Sequence, residues 1–285
     1  MIVKNIDPIK RINLHLHTNV SDGVLSPSQL VARARQIGLD LISITDHDTG
    51  DAYRLLPRDT GSLRILPGLE VSSQHEGTDV HILGLGVDLN SQSLVDMMEM
   101  YLIGRRERAI KMIEKLAALG LDITLNEVLA VAGSRELIVR PHIAQILVNR
   151  GYVASKNEAF DKYIGNFKPA YVAKPEVLVP NAIRVIHEAG GFAIIAHPGK
   201  LERDSYLDEF VDMGIDGLEV WHPDHYQYQI DGFTDICQKN GLFMTAGSDF
   251  HGDSDKNNLF DSVYTNEAIL DSVRRLWKEY QCRVN

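Results

Sequence analysis

The sequence predicts an α/β protein interrupted by an all-helical segment. Short apolar strands alternate with amphipathic helices along most of its 285 residues. Several of those strands run directly into histidine or carboxylate at their C-terminal ends, where α/β barrels and sheets place their chemistry. Between residues 91 and 170 the strand pattern disappears and only helical spacing remains.

Composition narrows the class. Hydrophobic residues make up 44% of the chain, enough for a substantial core. No apolar run approaches the roughly 20 residues of a membrane span. The start, Met1-Ile2-Val3-Lys4-Asn5, lacks an apolar h-region, so no signal peptide is expected. Cys237 and Cys282 are the two cysteines, far apart and outside metal-type spacing, which suits a reducing, cytoplasmic setting. The net charge of −10 argues against a surface that is one large nucleic-acid footprint. Residues 91–174 nevertheless sum to +3 and the remainder to −13. Either an acidic metal-binding body accompanies an anion-holding segment, or this is ordinary scatter of surface charge.

Ile12 to Thr18 alternates apolar and polar side chains and reads as the first strand, with His15 and His17 on one face. Ser26 and Pro27 start a helix that Gly38 stops. Leu39 to Thr45 is the second strand and enters Asp46-His47-Asp48. Leu63 to Val71 is the third, reaching Glu70, and a hairpin at Glu76-Gly77-Thr78 returns the chain through His81. In the helical segment, helices are expected from Tyr101 to Leu119, Leu125 to Val131, Ile143 to Val148 and Asn157 to Ile164. Arg140-Pro141-His142 opens the third of these. An all-helical block inside a βα series reads as an insertion, so the expected division is 1–90 with 171–285, and 91–170 as a small cap. The βα rhythm then resumes: helix Pro180 to Ala189, strand Phe192 to Ala196 ending at His197, helix Leu207 to Met213, and strand Gly217 to Trp221 ending at His222. Helix Gln227 to Lys239, strand Leu242 to Gly247 ending in Ser248-Asp249-Phe250-His251, and a sealing helix Glu267 to Tyr280 complete the chain.

Strand ends therefore supply His15, His17, His47, Glu70, His81, His197, Asp249 and His251, and the first loop adds Asp22. Each alone suits a plainer role: His47 a turn residue, Glu70 a surface carboxylate, His81 a half-buried strand histidine. Their recurrence at one end of successive strands points to a shared site. Nine nitrogen and carboxylate donors exceed one ion and fit two or three. Imidazole with carboxylate and no thiolate favours Mn²⁺, Fe²⁺ or Zn²⁺ over Ca²⁺ or structural zinc.

The run His15-x-His17-x4-Asp22-Gly23, with Thr45-Asp46-His47-Asp48, Pro67-Gly68-x-Glu70, Ala196-His197-Pro198 and Ser248-Asp249-x-His251, resembles the PHP (polymerase and histidinol phosphatase) family of metal-dependent phosphoesterases. The resemblance covers the whole chain and is strongest to the branch of 3′,5′-nucleotide bisphosphate phosphatases and 5′-3′ exoribonucleases. It implies a distorted (β/α)7 barrel, TIM-like, with a trinuclear metal centre. It implies His15, His17, Glu70 and Asp249 on one ion, Glu70 bridging to a second held by His81 and His197, and Asp22, His47 and His251 on the third. Glu70 and Asp249 then stand at the catalytic ions. The resemblance also implies phosphate or nucleotide contacts from Arg105 and Arg108 and from Arg140 and His142. Physically, a helix N-terminus favours anions and guanidinium forks bind phosphate. Arg105, Arg106 and Arg108 equally suit a solvated helix face. Lys168 and Tyr171 in the exit linker are weaker candidates for phosphate or base contact, since a Lys-Pro turn explains them equally well.

A bound dication brings the pKa of water from about 16 to roughly 7, so a metal-bound hydroxide is available to attack phosphorus near neutral pH. The expected activity is hydrolysis of small nucleotides, bisphosphate or monophosphate, extending to short single-stranded 5′-phosphorylated RNA, with no membrane or protein partner indicated. Histidinol-phosphate phosphatase and a non-catalytic PHP binding module are the alternatives. Asp46 and Asp48 are candidates to orient ligand imidazoles or to cap the following turn. The sequence does not name a general acid, for which a metal-bound water or His222 would serve, and Trp221-His222-Pro223 equally suits packing and a turn.

Overall fold

The computed structural model describes residues 9–132, 138–173, 177–203, 205–252, 260–261, 263 and 265–284. The chain divides into two units, residues 1–95 with 177–285, and residues 96–176.

The first unit is mixed α/β. Strands β1 (Ile12–Asn13), β2 (Leu41–Ile42) and β3 (Arg64–Ile65) form a parallel sheet, linked by helix α1 (Pro27–Gln36) and a 3-10 turn at Asp51–Leu55. Helix α1 begins as expected. The Ser26 hydroxyl accepts from Gln29 N–H, the Gln29 side chain accepts from Ser26 N–H, and Pro27 takes the first turn. Strands β4 (Gly68–His75) and β5 (Thr78–Leu85) form the predicted hairpin across Glu76-Gly77. Further strands are β6 (Phe192–Ile195), β7 (Gly217–Trp221) and β8 (Phe243–Ala246), and the second sheet runs β4-β5-β6-β7-β8. Within it β5 lies antiparallel to both neighbours, whereas β6, β7 and β8 are parallel.

Parallel bridges connect the two sheets, Leu16 to Phe250 beyond β1 and β8, and His47 to Glu70 beyond β2. Leu16, Leu30, Ile42, Ile44, Phe250 and Phe260 are buried together beneath these strand ends.

The early strands are shorter than the alternation predicts. After Asn13 the backbone leaves the ladder: Leu14 N–H goes to Ala246 O, Leu16 N–H to the Thr45 hydroxyl, and His17 N–H to Phe250 O. The reversal at β5 also corrects the expectation that every ligand sits at a strand's C-terminal end. Glu70 lies within β4 and His81 within β5.

The second unit holds most of α2 (Gln92–Ala118), then α3 (Leu125–Ala132), α4 (Arg140–Asn149) and α5 (Lys156–Ala159), the last continuing as a π turn through Ile164. Met112, Leu116, Val128, Ile143, Leu147 and Ile164 form its own apolar core. Its described residues contain no strand. Thr124 and Glu127 cap α3 reciprocally. Back in the first unit, helices α6 (Val179–Glu188), α7 (Tyr206–Asp212), α8 (Gln227–Asn240) and α9 (Glu267–Val284) follow. Helix α9 buries Ile269, Leu270, Val273 and Leu276, and its Ser272 hydroxyl accepts from Met244 N–H of β8. This is the sealing contact expected of the last helix.

Candidate metal centre

All nine residues expected to bind metal converge in the first unit. Glu70, fully buried in β4, is the hub. Its Oε2 lies 3.3 Å from His15 Nε2, 3.1 Å from His17 Nε2 and 3.1 Å from His47 Nδ1. Its Oε1 lies 2.8 Å from His81 Nδ1 and 3.2 Å from His197 Nε2. Asp249 closes the other side, with Oδ1 at 3.3 Å from His15 Nε2 and 3.2 Å from His17 Nε2. Asp22 meets His251 Nε2 at 3.2 Å and His47 Nε2 at 3.8 Å.

Among the described residues, donor atoms gather into three overlapping sets, each mutually within 4.8 Å: His15, His17, Glu70 and Asp249; His17, Asp22, His47 and His251; and His47, Glu70 and His81. The first set matches the expected grouping for one ion. The second adds His17 to the expected trio, and the third joins Glu70 and His81 to His47, while His197 approaches Glu70.

The arrangement suits divalent cations on an internal ground. His15 Nε2, both ring nitrogens of His17, His47 Nδ1 and Glu70 Oε2 are buried without a hydrogen bond. A buried polar atom left so costs about 1–3 kcal/mol, and several crowded together are unfavourable without a cation among them. Nitrogen and carboxylate donors are the ligand chemistry of Mn²⁺, Fe²⁺ and Zn²⁺.

Charge coupling within the nest is strong. Burial opposes ionisation of Glu70, but His47, His81 and His15 overcome it and hold the carboxyl well below the usual range. Burial likewise opposes charge on Asp249, and His15 and His17 outweigh it. Burial pushes His47 down to about 4, leaving the neutral imidazole that binds a cation. Burial also disfavours protonated His17, yet Asp249 and Glu70 raise it to about 10, so a dication and a proton compete for its nitrogens.

The backbone is shaped to the site. His197, Asp249 and Asp48 adopt φ of 31°, 50° and 54°, a region sparsely used by residues with a Cβ and concentrated at functional sites. Gly23 is required by close approach, because a Cβ there would stand 2.6 Å from His17 O. Asp46 orders the loop that carries Asp22. Its carboxylate accepts from Thr18 N–H (2.7 Å), the Thr18 hydroxyl (2.6 Å) and the Ser21 hydroxyl (2.8 Å). Of the two roles expected of it, an imidazole partner or a cap for the following turn, these bonds show neither; they tie β2's end to the loop after β1. Asp48 accepts from Ser72 N–H at 2.7 Å, tying the turn after β2 to β4.

A PHP domain profile matches residues 13–171. The chain belongs to the PHP domain family. It is 32% identical over 280 residues to a 5′-3′ exoribonuclease of Haemophilus influenzae, covering 95% of this chain and 99% of that protein. It is also 32% identical over 280 residues to a 3′,5′-nucleoside bisphosphate phosphatase of Chromobacterium violaceum, covering 96% and 97%. Among solved structures, a Bifidobacterium adolescentis protein provisionally assigned as a metal-dependent phosphoesterase superposes with a TM-score of 0.83 at 31% identity, over 95% of this chain and 97% of that one.

Sequence reasoning missed three residues at or beside the nest. Glu219, buried in β7, faces His15 Nδ1 at 3.0 Å. Lys200, in the turn after His197, reaches Asp249 at 3.4 Å and Asp224 at 3.1 Å. His225 accepts from Gly199 N–H and donates to Val220 O. The available signal was a carboxylate between Leu218 and Val220, two apolar strand residues. His222 is buried, with Nε2 3.4 Å from Asp249 Oδ2. Its Nδ1 accepts from Asp224 N–H, which leaves the proton of the neutral ring on Nε2.

The residues expected to bind substrate lie in the helical unit. Arg105 and Arg108 are buried, whereas Arg106 is exposed. A solvated helix face therefore describes Arg106 and not the other two. Arg108 donates to Val172 O, Arg140 donates to Asn166 Oδ1 at 2.8 Å, and both guanidiniums lie 5.8 Å from the Tyr171 ring centre. His142 Nδ1 accepts from Val139 N–H at the start of α4. Lys168 is exposed.

Proposed function

We propose that this chain is a metal-dependent phosphoesterase. It releases phosphate from small nucleotides, nucleoside 3′,5′-bisphosphates or monophosphates, and removes nucleotides from short 5′-phosphorylated RNA. The observation that carries the reading is the set of buried, unsatisfied donors around Glu70. The relatives described above, an exoribonuclease and a bisphosphate phosphatase, support the nucleotide substrate class. They favour it over histidinol phosphate. Ligand-type residues at all nine positions argue against a binding module without catalysis.

In this reading His15, His17, Glu70 and Asp249 hold one ion, Glu70 and His81 with His197 or His47 a second, and Asp22, His47 and His251 a third. Bound there, divalent ions supply Lewis-acid stabilisation of phosphoryl oxygens and acidify water. The chain's own part is to hold the carboxylates ionised and the imidazole nitrogens gathered around them. His222 Nε2–H, beside Asp249, is in position to hydrogen-bond a departing oxygen.

Bridges from beyond β1 to beyond β8 and from beyond β2 to Glu70 within β4 support reading the two sheets as one distorted barrel. It is seven-stranded when β3 and β4, separated only by Leu66 and Pro67, count as one. Residues 91–170 are then an insertion. Recognition of phosphate and base is assigned to Arg105, Arg108, Arg140 and His142, supported by the gathering of Arg108 and Arg140 at Tyr171. Two free thiols support a cytoplasmic setting. No helix among the described residues is long and apolar enough to cross a membrane.

The test is product analysis with Mn²⁺-loaded protein on adenosine 3′,5′-bisphosphate, AMP and a short 5′-phosphorylated RNA, with Asp249→Asn as control. Release of phosphate or mononucleotide that a chelator stops and Mn²⁺ restores supports the reading. No product from any of the three overturns it.

A further inference from the structure

We propose that Glu219 is a positioning residue of the metal centre, a single carboxylate on β7 that sets the orientation of two ligands arriving from other strands. The inference rests on the reading of the nest as a metal site.

Three observations converge on it. Glu219 Oε1 and Oε2 lie 3.0 and 3.2 Å from His15 Nδ1, with both side chains fully buried. A carboxylate accepts, so this contact places a ring proton on His15 Nδ1 and turns Nε2 toward Glu70 and Asp249. Second, Glu219 Oε2 accepts from His197 N–H at 2.8 Å. That bond anchors the backbone at the point where His197 enters the left-handed region, and so aims its ring at Glu70. Third, the neighbouring strand leaves room for the pair. A Cβ on Gly247 would stand 2.6 Å from Glu219 Oε1 and 2.2 Å from His15 Cβ.

Burying a carboxylate between Leu218 and Val220 is unfavourable unless it is paired. Here its partners are the His15 imidazole and the His197 N–H. A carboxylate that orients a ligand imidazole contributes to metal affinity although it never touches the ion. A purely structural carboxylate contributes only to folding.

The experiment separates these roles. Metal-stripped wild type, Glu219→Gln and Glu219→Ala are titrated with Mn²⁺ by calorimetry, and the thermal midpoint of each metal-free protein is measured alongside. The expected result is an affinity loss of about 10–100-fold for Glu219→Ala, with Glu219→Gln between it and wild type, because the amide oxygen still accepts from His15. In the Zn²⁺-loaded state, the His15 Nδ1–H resonance should be present in wild type and lost or fast-exchanging in Glu219→Ala. If Glu219→Ala does not fold, the isosteric Glu219→Gln carries the test. Unchanged Mn²⁺ affinity in a folded variant overturns the proposal, even if its thermal midpoint falls. A wild-type protein that takes up no Mn²⁺ overturns the metal-site reading itself.

Discussion

Glu70 reaches His81 diagonally across a hairpin. Its register partner is Leu83 and that of His81 is Ser72, yet Oε1 and Nδ1 stand 2.8 Å apart. Alternation puts both side chains on one face, and diagonal neighbours on that face are within reach of long side chains. One short turn thus delivers two donors, and the same carboxylate touches imidazoles from β1, β2 and β6.

Removing that hub should be decisive. Glu70→Gln, like Asp249→Asn, should abolish turnover. It should also lower the metal content measured by plasma emission spectroscopy. Retention of full metal with unchanged turnover would contradict the role given to Glu70.

Arg140→Ala should behave differently. Its guanidinium lies over Phe160 and Tyr171, remote in sequence from every proposed metal ligand. Charged hydrogen bonds contribute about 1.5–3 kcal/mol, so KM for nucleotide should rise roughly 10–100-fold. Metal content should stay at the wild-type level. A drop in bound metal would show that the residue acts on the fold instead.

Asp46 supplies a subtler test. Asp46→Ala removes the acceptor for Thr18 and Ser21 and should cost about 1–3 kcal/mol of stability. Because it releases the loop bearing Asp22, the variant should lose metal selectively from the set of His17, Asp22, His47 and His251. Anomalous scattering from Mn²⁺-soaked crystals would read each position separately.

The two thiols should react unequally. Burial raises Cys237 to about 12, so it stays a neutral thiol well above pH 8, whereas Cys282 is exposed on α9. Thiolate is the nucleophile, so a disulfide reagent at pH 8 should titrate one thiol in the native protein and two after unfolding. Two rapid equivalents without denaturant would refute this.

How much of this was legible depended on where each residue sits relative to its strand. His15, His17, Asp22, His47, Asp249 and His251 stand in short polar runs just beyond apolar segments, a local signal that periodicity exposes. Helices with capping residues, such as the one opened by Ser26 and Pro27, were equally readable. Strand lengths were not, because Leu14, Leu16 and His17 send their amides to partners that alternation cannot reveal. The reversed direction of β5 also hid the true location of Glu70 and His81 inside strands. Glu219 was least visible. A polar residue between two apolar ones is what any half-solvated strand shows, and its burial depends on His15, which lies 204 positions away.

Near the two ends of the chain, Asn13 donates to the Ser248 hydroxyl at 2.7 Å and Leu14 N–H donates to Ala246 O. Synthesis from the N-terminus therefore makes His15 and His17 early and their counterpart Asp249 more than two hundred residues later. A nascent polypeptide shorter than that can present imidazoles to the cell's metal pool but cannot assemble the full set of donors. C-terminal truncation before β8, which removes Asp249 and His251, should therefore leave a species that chelates weakly and turns nothing over.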